Sequence, residues 1–233
     1  MRLEDIQPRL RASPLFRDVS PERLREFALE TTVRSFEDGQ SVWLTGDAPT
    51  HLTIILRGLV QVVRRLPNGD VATLALFGPR EPVGTIAVFD RRPYPAEAVA
   101  SSEHVELLCV RAEPVLAAMA TDPQLANAFT RALSQSSAML RGRIDVLTAG
   151  SVPRRLATLL LQLSERFGDS GEDGVVRVPV ALSRGALARL VSARVETVIR
   201  TASDWQKRGL LSTDSAGFEL LDAPELERIA AEG

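Results

Sequence analysis

Apolar and polar positions along this chain follow two different periods. Between Val33 and about Val110 the apolar residues come in short or alternating runs, SVWL, HLTIILRGLVQVVRR, VATLALFG, PVGTIAVF, AEAVA and VELLCV. Asp38-Gly39, Gly46-Asp47, Gly58, Asn68-Gly69 and Gly78-Pro79 punctuate them. Short runs broken by glycine turns are the pattern of a sandwich or barrel, and Asn68-Gly69 between VQVVRR and VATLAL is a strong hairpin signal. This region is read as a compact β-roll. Elsewhere the period is helical. Ser20-Pro21-Glu22 supplies a capping hydroxyl, a proline at the first helical position and an acid in the first turn of a short helix that packs through Leu24, Phe27 and Ala28. Thr121-Asp122-Pro123 opens a long helix in which Leu125, Phe129, Leu133, Ser136, Leu140, Ile144 and Leu147 recur at three- and four-residue steps. That stripe suits either an ordinary buried face or a seam between two helices. Gly150 and Pro153 mark a hinge before an amphipathic helix ending near Phe167-Gly168, and Asp169 to Gly174 reads as a polar loop.

Val175 to Val180 reads as a strand, and the stretch Leu182 to Leu211 then reads as two short helices meeting at a tight turn. Ser183 can cap the first, whose apolar residues Ala186, Leu187 and Leu190 fall at helical spacing. A break at Ser192 and Ala193 precedes a second helix with Val195, Val198, Ala202 and Trp205 on a packing side and Glu196, Arg200 and Lys207 on a free side. Leu211-Ser212-Thr213 and Phe218-Glu219-Leu220 flank a turn containing Gly217, so the whole makes a winged helix-turn-helix. Glu196 and Arg200 could be a surface pair worth a few tenths of a kcal/mol, roughly. Their setting favours another role. Arg184 to Arg208 holds six basic residues against two acidic ones, in a chain whose net charge is −2. Phosphate attraction supplies much of DNA affinity, and helices stacked in this way put the second into the major groove.

The rest of the composition narrows the classes. With 233 residues, 45% hydrophobic and 25% charged, the chain can bury an ample core, and the acidic balance confines any nucleic-acid contact to a local patch. Of 28 basic residues only Lys207 is lysine, which reflects genome composition before recognition. No apolar run approaches the roughly 18 residues of a membrane span, and MRLEDIQPRLRASPLF lacks a signal-peptide core, so a cytoplasmic location is expected. The single Cys109 excludes an internal disulfide and any four-cysteine iron–sulfur or zinc site; within Leu107-Leu108-Cys109-Val110 it reads as a small buried hydrophobe. No paired carboxylates, phosphate loop or nucleophile–base set points to an enzyme, and no catalytic or metal-ligating residue is assigned.

Val195-Glu196-Thr197-Val198-Ile199-Arg200, followed by Lys207-Arg208-Gly209-Leu210-Leu211, resembles the recognition helix of the CRP/FNR family of bacterial transcription regulators. Pro14-Leu15-Phe16, Gly46-Asp47, Ile55-Leu56-Arg57-Gly58 with Val60 and Val62, and Val83-Gly84 are similar to the family's cyclic-nucleotide-binding domain, so the likeness covers nearly the whole chain. It departs at Ser192, where the family has glycine and a non-glycine in a left-handed turn costs about 1 kcal/mol, at Arg194, where a small capping residue is usual, and at Ile199. The resemblance implies an α+β chain: a double-stranded, jelly-roll-like β-roll sensor over residues 1–120, a dimerisation helix over 121–149 and a winged helix-turn-helix DNA-binding domain over 150–233.

What the resemblance implies for sites follows residue by residue. Glu196, Ile199 and Arg200 would read bases, while Ser183, Arg184, Arg194 and Thr197 would hold phosphates. An effector pocket would lie at Gly84, Thr85, Pro95, Ala96 and Glu97. There the family's nucleotide binders carry glycine-glutamate-leucine and then arginine with a small residue. Thr85 replaces that glutamate, Pro95 stands for that arginine, and Glu97 adds repulsion. Losing the partner of a buried phosphate costs about 3–5 kcal/mol, so an effector other than cyclic AMP is expected. No iron–sulfur cluster is expected; some relatives sense gases through haem, with His51 or His104 the minor candidates for an axial ligand, and the cofactor stays open. The implied partners are double-stranded DNA with an inverted repeat resembling TTGAT or TGTGA half-sites, a second copy of the chain, and RNA polymerase, with no membrane. The rival reading is a ligand-binding or scaffold protein whose degenerate recognition helix no longer binds DNA.

Overall fold

The computed structural model describes residues 3–66, 71–171 and 174–232, so the Asn68-Gly69 turn lies outside the described residues. Helices α1 (Leu3–Arg11) and α2 (Pro21–Leu29) precede strands β1 (Thr31–Glu37), β2 (Ser41–Trp43), β3 (His51–Arg57), β4 (Val60–Arg65), β5 (Val71–Phe77) and β6 (Pro82–Val83). Helix α3 (Thr85–Asp90), strands β7 (Glu97–Ala100) and β8 (His104–Arg111), and helices α4 (Ala112–Met119) and α5 (Pro123–Thr148) follow. Then come α6 (Val152–Phe167), β9 (Asp169–Ser170), β10 (Val176–Val178), α7 (Arg184–Leu190), α8 (Val195–Lys207), β11 (Leu211–Thr213), β12 (Phe218–Leu220) and α9 (Ala223–Ala231). By packing the chain divides into two units, residues 1–64 with 75–139 and residues 65–74 with 140–233.

In the first unit two four-stranded sheets, ordered β1-β8-β3-β6 and β2-β7-β4-β5, form the β-roll. Strand β8 is buried on both faces from Leu107 to Val110, which is why that stretch reads as an unbroken apolar run. Val105, Leu107 and Cys109 point into the roll with Phe36, Ile55, Val60 and Ala98. Leu108 and Val110 point the other way, with Leu52 and Ile54, into a core shared with Phe16, Phe27, Val115 and Phe129. As expected, α2 starts at Ser20, whose side chain accepts from the Arg23 N–H, and buries Leu24, Phe27 and Ala28. Asp122 likewise caps α5, one carboxylate oxygen accepting from the N–H groups of Gln124 and Leu125 at 3.0 and 3.1 Å.

The apolar stripe of α5 does two jobs. Leu125 and Phe129 are fully buried in the first unit, whereas Leu140, Ile144 and Leu147 are 51%, 59% and 41% exposed. Only the C-terminal part of the stripe is therefore free to meet another molecule. In the second unit α6 buries Leu156, Ala157, Leu159, Leu160 and Leu163, and the sheet β11-β12-β10-β9 forms the wing. Helix α9, capped by Asp222, buries Leu226 and Ile229.

Three sequence readings need correction. The run Pro82 to Phe89 is not one strand: Gly84, at φ 75, ends β6, and α3 buries Thr85, Ala87 and Val88 while Ile86 and Phe89 face outward. Short apolar runs do not distinguish strand from helix by period alone. Asp169 to Gly174 is not wholly loop, because Asp169 and Ser170 pair with Arg177 and Val176; Glu172 and Asp173 lie outside the described residues. Finally, the apolar pattern assigns none of α1, α4 and α9: α1 and α4 carry no strong start signal, whereas α9 carries one in Asp222, Pro224 and Glu225.

Because Phe129 fills the helix-covered core, Phe129→Ala should lower stability by about 3–5 kcal/mol. Urea denaturation checks this; a loss below about 1 kcal/mol would mean that the core closes without the ring.

Candidate functional site

The two helices of the helix-turn-helix are shaped by caps and burial. The Ser183 hydroxyl accepts from the Ala186 N–H at 3.1 Å and starts α7, which buries Ala186, Leu187, Ala188 and Leu190. Accepting that bond leaves the hydroxyl proton free to donate to an anion. The turn passes through Ser192 at φ 48, a left-handed conformation that glycine normally fills, and Ala193 N–H bonds back to Ala188 C=O at 2.9 Å.

Two arginines brace this turn. Arg155 on α6 donates to the carbonyls of Val191 and Ser192 at 2.7 and 3.1 Å. Arg143 near the end of α5 donates to Thr73 C=O at 3.1 Å and to Arg189 C=O at 3.4 Å. Burial holds the Arg143 guanidinium below its ordinary pKa, and the Arg155 charge adds to that. Bonds from an ionised donor are roughly twice as strong as neutral ones, so the Arg155 pair can offset the cost of a non-glycine at Ser192. The sequence pattern missed both residues. Their only signal was arginine inside otherwise apolar or packing helices, and nothing local says which carbonyls they reach.

Helix α8 buries Val198, Ala202 and Trp205. Glu196, Ile199 and Arg200 are exposed together on its other side, with Arg194 at its start. Among the described residues no ion pair joins Glu196 to Arg200, so both side chains are free to meet a ligand. Val195, read from the sequence as a packing residue, is 38% exposed because it sits at the helix's open first turn. No side chain caps that turn, since Arg194 occupies the cap position. Thr197 is half-buried, and Arg184 is not free: its guanidinium donates at 3.0 Å to the hydroxyl of Thr213 on the wing, which also accepts from Gln206. Arg208 is paired with Asp204 and Glu225. With Arg184 and Arg208 engaged, the exposed cations left for a ligand are Arg189, Arg194, Arg200 and Lys207 rather than all six.

The candidate effector residues lie in the first unit. Gly84 precedes α3 in a left-handed conformation, and a Cβ there would lie 2.8 Å from the Tyr94 ring and 3.0 Å from that of Trp43. Those rings stack at 4.1 Å and 13°, and Trp43 Nε1 donates to Ala96 C=O at 3.1 Å. Thr85 is buried and its hydroxyl has no partner among the described residues. Pro95 is exposed. Glu97 is buried, with a carboxylate oxygen accepting from the Ser41 hydroxyl at 2.5 Å. These five positions hold a buried carboxylate and no cation, which does not fit a cyclic phosphate. His51 Nδ1 lies 2.8 Å from Thr50 Oγ1; His104 sits 3.6 Å from both Glu37 and Glu106. Cys109 is buried, and burial pushes its thiol pKa up, as befits a packing residue.

Residues 33–122 match the cyclic nucleotide-binding domain family, and residues 154–229 match the Crp-like helix-turn-helix domain. The chain is 28% identical to a CRP-like cAMP-activated global transcriptional regulator of Mycobacterium tuberculosis, over 93% of this chain and 96% of the relative. It is 30% identical to the transcriptional regulator SdrP of Thermus thermophilus, over 76% of this chain and 82% of that protein. Its fold is similar to that of FixK2 from Bradyrhizobium japonicum, with a TM-score of 0.75 at 18% identity over 87% of this chain and 98% of that one. No helix among the described residues is long and apolar enough to cross a membrane.

Removing the brace should loosen the turn. Arg155→Leu strands two carbonyls and is expected to cost about 1–3 kcal/mol, whereas Ser192→Gly should stabilise by about 0.5–1 kcal/mol by relieving the left-handed strain. Thermal unfolding of both variants checks the pair; opposite signs to these would show that the turn is held by something else.

Proposed function

We propose, on the premise that this chain belongs to the CRP/FNR family of bacterial transcription regulators, that it binds an inverted-repeat DNA site as a homodimer and answers to an effector other than cyclic AMP. Residues 1–120 are the sensor, residues 121–149 the dimerisation helix and residues 150–233 the DNA-binding domain. The observation that carries the DNA reading is the exposed face of Glu196, Ile199 and Arg200, on a helix whose opposite side is anchored by Trp205. Arg200 suits guanine O6 and N7, Glu196 suits cytosine N4, and Ile199 can cover a thymine methyl, each good contact discriminating by roughly 1–3 kcal/mol. Arg194, Thr197, Ser183 and Arg184 serve phosphates, Arg184 through a guanidinium that the wing already orients. RNA polymerase is the further partner proposed for the regulator.

The dimer reading is supported by Leu140, Ile144 and Leu147, which stand exposed along one stripe of α5. The Mycobacterium tuberculosis relative is cAMP-activated, and here the buried Glu97 and the lack of a cation among Gly84, Thr85, Pro95, Ala96 and Glu97 disfavour that effector. The regulator lacks any catalytic assignment.

Binding-site selection from random DNA should return two half-sites with essential G·C pairs, their centres about one helical turn apart. Arg200→Ala should relax the preference at a guanine, while Arg184→Ala should weaken all sequences alike and flatten the salt slope by about one. An unchanged motif in Arg200→Ala would make Arg200 a backbone contact, and salt-insensitive or absent binding would favour the scaffold reading. Sedimentation should give the wild type twice the mass of Leu140→Glu, and equal masses would remove the seam. Calorimetry with cyclic AMP should show no micromolar affinity.

A further inference from the structure

The first unit holds a cavity of about 360 Å3 whose lining includes Trp43 and Tyr94. Its origin is legible in the strand register. Thr32 and Thr53 both pair with Cys109, so three small side chains lie abreast across β1, β8 and β3. Further along the same strands the larger Phe36, Ile55 and Leu107 close the interior. A row of small residues where the neighbouring rows are large leaves a pocket rather than a packed layer.

The lining is bipolar. Arg34 on β1 is exposed, its guanidinium carbon 4.9 Å from the centre of the Phe36 ring, and among the described residues it makes no ion pair. Asp47 spends one carboxylate oxygen on the Leu44 N–H at 2.8 Å and keeps the other. His51 adds no charge near neutrality, because burial lowers its pKa, helped by Arg111 and Arg34. The Tyr94 phenol, pushed up to about 12 by burial, then by Cys109 and Asp47, stays a hydrogen-bond donor. The cavity therefore presents one cation, one carboxylate and a flat aromatic wall.

We infer that this cavity is the effector site of the roll, and that its ligand is a small zwitterion with an apolar or aromatic body, an α-amino acid in chemical class. The ligand's carboxylate meets Arg34, its ammonium meets Asp47 and its side chain lies on the Trp43–Tyr94 wall. The same two rings pack against Gly84, where a Cβ would lie 2.8 Å from Tyr94 and 3.0 Å from Trp43, so a ligand that shifts them bears on the start of α3. The inference rests on the reading of the roll as a sensor and adds where it senses and what.

Calorimetry on the full chain tests it with L-phenylalanine and L-leucine, and with phenylacetate and phenethylamine as analogues that keep one charge each. At least one amino acid should bind saturably with a Kd below about 1 mM, and each single-charge analogue should bind at least tenfold more weakly. Arg34→Gln should weaken the amino acid at least tenfold, whereas Arg57→Gln, an exposed arginine outside the cavity, should not. Asp47→Asn keeps the acceptor for Leu44 and should weaken phenethylamine while sparing phenylacetate. No saturable heat from either amino acid, or unchanged binding in Arg34→Gln, overturns the inference. A gel shift on the same preparations separates the two readings: DNA binding without amino-acid binding sinks the cavity alone, and amino-acid binding without DNA binding sinks the regulator alone.

Discussion

The second unit depends on how the chain holds a turn without a glycine. Ser192 takes the left-handed conformation at φ 48, and the two carbonyls beside it are held by the Arg155 guanidinium. With the turn set, α7 and α8 can bury Leu187, Leu190, Val198, Ala202 and Trp205 together. Burying those residues points Glu196, Ile199 and Arg200 outward. The outward face is thus a consequence of packing. Arg143, with its pKa lowered by burial, fastens the same turn to the Thr73 carbonyl.

The first unit uses a different device. Its strands β3 and β8 send alternate residues into two cores, one inside the roll and one beneath the helices. Glycine at position 84 lets the cassette backbone approach the Trp43–Tyr94 stack, and the Trp43 indole N–H ties that stack to Ala96. Where the family's nucleotide binders carry charges for a phosphate, this chain places aromatic packing and a carboxylate bonded to Ser41. The family's architecture is retained.

Much of this was legible in the sequence. Ser20, Asp122 and Ser183 announce their helices because capping is local chemistry, and the two halves of the chain separate by period alone. The stripe of α5 was visible, but its division between Phe129, buried, and Ile144, exposed, depends on what else packs there. Helix α3 hid inside an apolar run, since Thr85 to Phe89 is too short to show a period. Arg155 and the Trp43–Tyr94 wall were invisible for another reason: each acts on residues tens of positions away, and only the fold brings them together.

The central claim is that the free face of α8 reads the major groove in two symmetric half-sites. Methylation interference at guanine N7 on a selected site tests this most directly, because N7 lies in that groove. Interference should fall on guanines in both half-sites, on one face of the duplex and about 10 base pairs apart. Interference confined to a single half-site, or none at any guanine within a bound site, would contradict it.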